Sequence, residues 1–313
     1  MYSRSSIIKG IKNPGLACRE LNSLFHRAIR FGSSVEVNED GIDILSADWD
    51  KLIILDACRY DIFEELGVTL PGTLTKVESK ASATNAFLRA NFSDMKLHDT
   101  VYVTANPQLY RIENGIYDIE PINVEFHAQI DIWQDGWDEH HRTVMPGIVT
   151  EAARKAAERY PNKRLIVHYL QPHAPYVGPT GVAELPTEYL NFWASFRDGK
   201  FEVSLETAIK AYRENLELVL PHVSTLLSEF GGKTVVTADH GELLGERDSP
   251  IPVRRFGHLS SRNFPALIEV PWLVNERPPR PEIVAEPPER DHVDEEIDAE
   301  TVKQRLRDLG YAE

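Results

Sequence analysis

A chain of 313 residues, 42% of them hydrophobic, is long enough to bury a substantial core, as one large α/β domain or two small ones. Its 49 acidic against 34 basic residues give a net charge of −15, a surface that repels nucleic acid and anionic lipid and argues against both as partners. The two cysteines, Cys18 and Cys58, exclude a disulfide framework and fit a reducing, cytoplasmic setting.

The excess of carboxylate also resembles proteins of salt-loving organisms, whose charged surfaces help solubility. No stretch reaches the roughly 20 apolar residues that a membrane span needs, and the first thirty residues hold no apolar run of signal-peptide length, so no integral membrane segment is expected. Between residues 16 and 31, Leu16, Leu21, Leu24, Phe25, Ile29 and Phe31 fall roughly on one helical face, and a polar connection follows. Residues 1–45 are therefore expected to form an N-terminal amphipathic helix and a linker.

Lys51-Leu52-Ile53-Ile54-Leu55-Asp56 is a nearly continuous apolar run ending in an acid, as expected of a buried parallel strand. A helix is predicted from Ala57 to Leu66, stopped by Gly67. Asp56 then sits at the strand-to-helix turn, where a carboxylate caps the helix or binds a cation. Val77 to Leu88 reads as a small, hydroxyl-rich loop entering a helix that reaches Phe92. Ser82 lies close to that helix's N-terminus, where free N–H groups and the dipole favour an anion; capping by Ser82 or Thr84 is the plainer use.

Thr100 to Thr104 alternates as a strand. Residues 105–143 are irregular, aromatic and rich in Asp, too long for an ordinary connection, and are expected to form an insertion or lid facing substrate. His140 and His141 within it are neighbours in sequence and point apart, which counts against a metal pair.

Pro146 opens a predicted helix to Tyr160, and Arg164 to Leu170 is a second buried strand. Two prolines in Gln171-Pro172-His173-Ala174-Pro175-Tyr176 fix the backbone around His173, which suits a side chain that must be aimed. From Ser204 to Phe230, Ile209, Tyr212, Leu216, Val219, Leu220, Val223, Leu226 and Leu227 recur at helical spacing, ending at Gly231-Gly232. The β-branched run Thr234 to Thr237 predicts a central strand that meets Asp239-His240 at Gly241. An acid beside an imidazole is a mixed oxygen and nitrogen set that suits Zn²⁺, Mn²⁺ or a related ion. Gly257-His258 and a last strand, Ile268 to Val274, follow. Arg277 to Asp298 is a Pro- and Glu-rich linker, and Ala299 to Leu309 a short helix docking through Val302, Leu306 and Leu309.

Alternating strands and helices predict an α/β fold with a mostly parallel central sheet and helices on both faces. The catalytic domain is placed at 46–275 and the acidic linker with the C-terminal helix at 276–313. Asp56, Ser82, His173, Asp239, His240 and His258 all fall at strand carboxyl ends or in the loops after them, which share one edge of a parallel sheet. Two carboxylates and an imidazole gathered there would hold a divalent cation that lowers a serine's pKa and polarises an ester oxygen.

These residues resemble the alkaline phosphatase superfamily, within it the sulfatase-like branch. Leu52 to Asp61 is similar to that branch's first metal-binding strand, Val236-Thr237-Ala238-Asp239-His240-Gly241-Glu242 to its second metal motif, and Pro172-His173-Ala174-Pro175 to its substrate-side loop. Gly257-His258, Val270 to Leu273 and Arg305 to Tyr311 are similar to its closing histidine, last strand and C-terminal ending. The resemblance implies Asp56, Asp239, His240 and His258 as metal ligands, with His173 and His258 contacting the transferred group or completing a second metal site. Ser82 is the nucleophile by position, with Thr84 and Ser79 as alternatives. Ser79-Lys80-Ala81-Ser82-Ala83 has Ala83 where formylglycine sulfatases need Arg, so a plain hydroxyl is expected, and that points toward phosphoryl chemistry.

The expectation is a metal-dependent hydrolase of small-molecule or glycan-linked phosphate or sulfate esters, with Ser82 and His173 catalytic and one or two ions of Zn, Mn, Mg or Ca. Its rivals are a phosphotransferase moving a head group onto a glycan or lipid acceptor, and a non-catalytic binding protein on the same scaffold.

Overall fold

The computed structural model describes residue 21 and residues 37–186, 191–258, 263–288 and 299–311. The helix predicted over residues 16–31 falls outside them except for Leu21, and so does Cys18. Among the described residues there are eleven strands: β1 (Lys51–Leu55), β2 (Thr73–Glu78), β3 (Met95–Thr104), β4 (Val124–Asp131), β5 (Trp137–Asp138), β6 (Thr143–Val144), β7 (Arg164–Tyr169), β8 (Gly232–Ala238), β9 (Leu243–Arg247), β10 (Arg254–Gly257) and β11 (Glu269–Arg277). Seven of them form one sheet in the order β2-β11-β8-β1-β7-β3-β4. The five from β8 to β4 run parallel, and β11 is antiparallel to both its neighbours.

β1 is central because its apolar residues serve two cores at once. Ile53 and Leu55 face Val167 and Val236 and, beyond them, Val149 and Ala153 of the helix Pro146–Arg159 and Leu216, Val219 and Val223 of the helix Leu205–Glu229. Leu52 and Ile54 turn the other way, with Ile166 and Val235, onto Ala86, Phe87 and Phe92 of the helix Thr84–Phe92. Strands buried on both faces read as unbroken hydrophobic runs, which is why β1, β7 and β8 stand out in the sequence. No helix among the described residues is long and apolar enough to cross a membrane.

Two strands of the main sheet are absent from the sequence reading. The stretch read as an insertion supplies β4, an edge strand of the main sheet paired with β3. Its burial alternates along Val124, Phe126 and Ala128, so it is a half-buried strand whose period is two. Val77 and Glu78, read as loop, end β2 on the opposite edge, mostly exposed and paired only with β11.

The C-terminal helix Ala299–Asp308 docks through Val302 and Leu306, each 0% exposed, with Leu309 at 2%. Leu306→Ala is expected to lower stability by about 2–4 kcal/mol, the cost of lost transfer energy and a residual cavity, measured by urea unfolding. A change below about 0.5 kcal/mol would show that the helix is not docked in solution.

Candidate active site and metal centre

Strand register brings the two acids together. Leu55 pairs with Ala238 of β8 and with Tyr169 of β7, so Asp56 and Asp239 leave the sheet side by side. The chain then turns sharply. Ala57 adopts φ 60°, a left-handed conformation unusual for a residue with a β-carbon, and this aims its N–H at Asp239 Oδ1, 3.1 Å away. Tyr212 holds the turn by donating its hydroxyl to the Ala57 carbonyl at 2.7 Å, and the Asp56 carbonyl accepts from His173 N at 3.1 Å. His173 is thereby tied to the same edge.

Asp56, Asp239 and His240 are each 0% exposed. Asp56, His168 and Asp239 each bring a donor atom within 4.8 Å of the other two. Asp56 Oδ2 accepts from Asn106 Nδ2 at 2.6 Å and from the Tyr311 hydroxyl at 2.9 Å, which leaves Oδ1 facing inward. Asp239 Oδ1 also accepts from His240 N at 2.8 Å, whereas its Oδ2 has no hydrogen-bond partner among the described residues.

The tautomer of His240 follows from its surroundings. Nδ1 lies 2.7 Å from the Gly241 carbonyl, which can only accept, so Nδ1 carries the proton and donates. Burial, and then His258, hold the ring well below its ordinary pKa, so it is neutral and Nε2 presents a lone pair. That lone pair points at Asp56 Oδ1, 3.6 Å away, and Asp239 Oδ2, 3.4 Å away. Three electron-rich atoms converge with no lysine or arginine bonded to either carboxylate among the described residues. A desolvated cluster of this kind calls for a positive charge at its centre. Oxygen and nitrogen donors at this spacing fit a divalent metal.

Thr84 is the hydroxyl in this cluster. As the first residue of its helix it places Oγ1 3.1 Å from His240 Nε2 and 3.5 Å from Asp56 Oδ1. Ser82, also 0% exposed, lies in the loop two residues before the helix. Ser79 donates its hydroxyl to the Asp239 carbonyl at 2.5 Å, a bond that braces the loop against β8.

A second cluster adjoins the first. His173, Glu242 and His258 bring donor atoms within 4.8 Å of one another, and the His240 and His258 rings are 4.7 Å apart. His173 Nδ1 donates to the Ala174 carbonyl at 2.5 Å, leaving Nε2 as its acceptor, and burial followed by His258 holds it well below its ordinary pKa. His258 behaves oppositely. Burial lowers its pKa, but the Glu242 carboxylate 3.3 Å from Nδ1 outweighs that and raises it. A cavity of about 120 Å³ opens beside these three residues, walled by Trp193 and Phe256.

All six residues expected from the sequence are placed at this edge of the sheet. Four more take part: Glu242, which stood in the Asp-His-Gly-Glu run, Tyr311, which closes the Arg305 to Tyr311 stretch, and His168 and Asn106, which carried no local signal. His168 donates or accepts at Nδ1 with the Tyr102 hydroxyl at 2.8 Å, and burial brings its pKa down to about 4. His140 and His141 lie elsewhere, on the wall of a separate cavity of about 300 Å³.

Burial and mutual repulsion hold Asp56 well above the ordinary carboxylate range, and burial raises Asp239 as well. A carboxyl whose folded pKa is raised favours folding below its unfolded value, near 3.9, and loses that advantage as pH climbs through the folded value. Above the ordinary histidine range, near 6.5, where the buried neutral imidazoles no longer contribute an opposite trend, the cation-free protein is therefore expected to lose thermal stability as pH rises. Added Mn²⁺ should restore it by an amount that grows over the same interval, reaching ~4–5 °C at a concentration one hundred times Kd. Melting curves in chelator and in Mn²⁺ measure this; a Mn²⁺ effect independent of pH would contradict it.

No family model matches the sequence, and no curated protein matches it. Among solved structures, the C-terminal periplasmic domain of EptC from Escherichia coli, in complex with Zn, is 14% identical, with 79% of this chain and 77% of that one covered and a TM-score of 0.45. A 2-O GAG sulfatase is 10% identical over 73% of this chain and 64% of that one, with a TM-score of 0.45. The phosphonate monoester hydrolase of Silicibacter pomeroyi is 15% identical over 83% and 72%, with a TM-score of 0.38. These are members of the superfamily that the sequence motifs resemble. At such identities and scores the likeness carries no argument about activity, which rests on the site.

Proposed function

We propose that this chain is a metal-dependent phosphoryl-transfer enzyme of the sulfatase-like type, using the Thr84 hydroxyl as nucleophile on a phosphate ester. One observation carries this reading: a neutral imidazole lone pair and two buried carboxylates converge on a hydroxyl with no cationic side chain among them. Asp56, Asp239 and His240 would hold a divalent cation, and His173, Glu242 and His258 have the donors for a second. The cation, when bound, lowers the pKa of a nearby hydroxyl and takes up charge on the transferred group.

The remaining steps belong to the chain's own side chains. Thr84 Oγ1, its proton released to water, attacks phosphorus as the ester P–O bond breaks in line, giving a phosphothreonyl enzyme. Where no second cation occupies His173, Glu242 and His258, Glu242 favours the protonated form of His258, which gives its proton to the departing alkoxide. His258 is then neutral and takes a proton from the incoming water or alcohol as the P–Oγ1 bond breaks, and the Thr84 oxyanion takes back a proton from water. Water makes the protein a hydrolase and an alcohol makes it a transferase. The site offers the same covalent intermediate to either acceptor, so both are tested.

Purified protein with Mn²⁺ or Zn²⁺ is expected to cleave an aryl phosphate faster than the matching aryl sulfate. Quenched samples should carry one phosphoryl group on Thr84 by peptide mass. Faster release when an alcohol is added would assign the transferase branch. Preference for the sulfate would move the substrate class, and protein purified with no bound metal and no turnover would favour a binding protein on this scaffold.

A further inference from the structure

We infer that Tyr311, delivered by the docked C-terminal helix, is a positioning residue of the cation site: with Asn106 it clamps the outer oxygen of Asp56 and so presents the inner one. This rests on the metal-site reading above and gives the last residue of the Arg305 to Tyr311 stretch a part in that site.

A carboxylate has two equivalent oxygens and turns easily about its last bond, so a ligand that must offer one of them needs the other held. Asp56 Oδ2 is held twice, by Asn106 Nδ2 at 2.6 Å and by the Tyr311 hydroxyl at 2.9 Å. Asn106 Nδ2 also donates to the Tyr311 oxygen at 3.1 Å, closing a triangle. Oδ1 is left facing His240 and Thr84.

Both clamping residues are themselves fixed. Asn106 is 1% exposed, its Oδ1 accepts from Gln108 N at 2.9 Å, and its own N–H donates to Thr104 Oγ1 at 3.0 Å. Tyr311 follows Gly310, whose φ of 76° turns the chain off the helix, and its N–H donates to the Leu306 carbonyl at 2.9 Å. Its carbonyl accepts from Arg111 Nη1 at 3.3 Å, and its ring lies 5.2 Å from that of His173 at 30°. The helix itself is anchored on the body, where Arg305 donates to the Gln134 carbonyl at 2.8 Å and the Tyr117 hydroxyl donates to the Lys303 carbonyl at 3.3 Å. A tyrosine present only for packing would not need its hydroxyl placed on a buried carboxylate.

The test is Mn²⁺ affinity by calorimetric titration of the full chain, with the melting temperature of the cation-free protein as the second readout. Tyr311→Phe keeps the ring and is expected to weaken Mn²⁺ binding by about tenfold to a hundredfold, the range for ligand-orienting partners, with the cation-free melting temperature unchanged or higher. Asn106→Leu should weaken binding to a similar extent. Tyr117→Phe removes a different hydroxyl from the docking of the same helix and should leave Mn²⁺ affinity within about twofold. Unchanged affinity in Tyr311→Phe would overturn the clamp, as would an equal loss in Tyr117→Phe, which would trace the effect to docking. If the wild-type chain binds no Mn²⁺ at all, the metal-site reading fails first and the clamp falls with it.

Discussion

Thr84→Ala is expected to lower kcat/KM on an aryl phosphate by at least ~10³-fold while leaving the fold intact. The hydroxyl is the only part of the side chain directed at His240 and Asp56, and the helix it begins is held by Ala86, Phe87 and Phe92 in the core. Thr84→Ser restores the oxygen without the methyl and should keep turnover within about tenfold. Ser82→Ala should stay within a few-fold of wild type. Thr84→Ala active and Ser82→Ala dead would transfer the nucleophile's role to Ser82. Ser79 is the weakest of the three hydroxyls for this work, since its proton is committed to the Asp239 carbonyl.

Asp239→Asn is expected to abolish turnover and to make the cation-free protein more stable. Asn keeps an oxygen for the N–H groups of Ala57 and His240, so the strand-end geometry survives. What it removes is one of two buried like charges, and the amide it introduces can donate to the His240 lone pair. The expected gain is ~1–2 kcal/mol, or about 1.5–3 °C in Tm at neutral pH, and it shrinks in acid as protonation relieves the repulsion. Cation affinity should fall by about 10²-fold or more. A variant that loses activity and stability together would mean that Asp239 is a structural brace and not a charge kept for a ligand.

The strands that were legible in the sequence are those buried on both faces, β1, β7 and β8, and they carry Asp56 and Asp239 at their ends. Parallel registration alone then gives the pair of acids. The edge strands were harder. β2 is mostly exposed, and β4 alternates, so neither offers the apolar run by which the central strands declare themselves. Among the site residues, Glu242 stood in a motif already marked and needed only its partner His258. Ser82 and Thr84 stand two residues apart, and composition alone does not locate a helix start that finely, so the sequence leaves the choice between the two hydroxyls to geometry. Tyr311 stood at the end of the marked Arg305 to Tyr311 stretch, but its part in the site, like that of Asn106, arises only from distance.

The left-handed turn at Ala57 has a consequence for how this protein tolerates change. Asp239 is anchored by a main-chain amide, which no side-chain replacement deletes except proline, and proline's φ near −65° is incompatible with the +60° found there. Saturation mutagenesis at position 57 should accordingly admit glycine, which enters that basin freely and fits the buried space, and reject valine, isoleucine and proline. A residue with no chemistry of its own would thus be as restricted as the acids on either side of it.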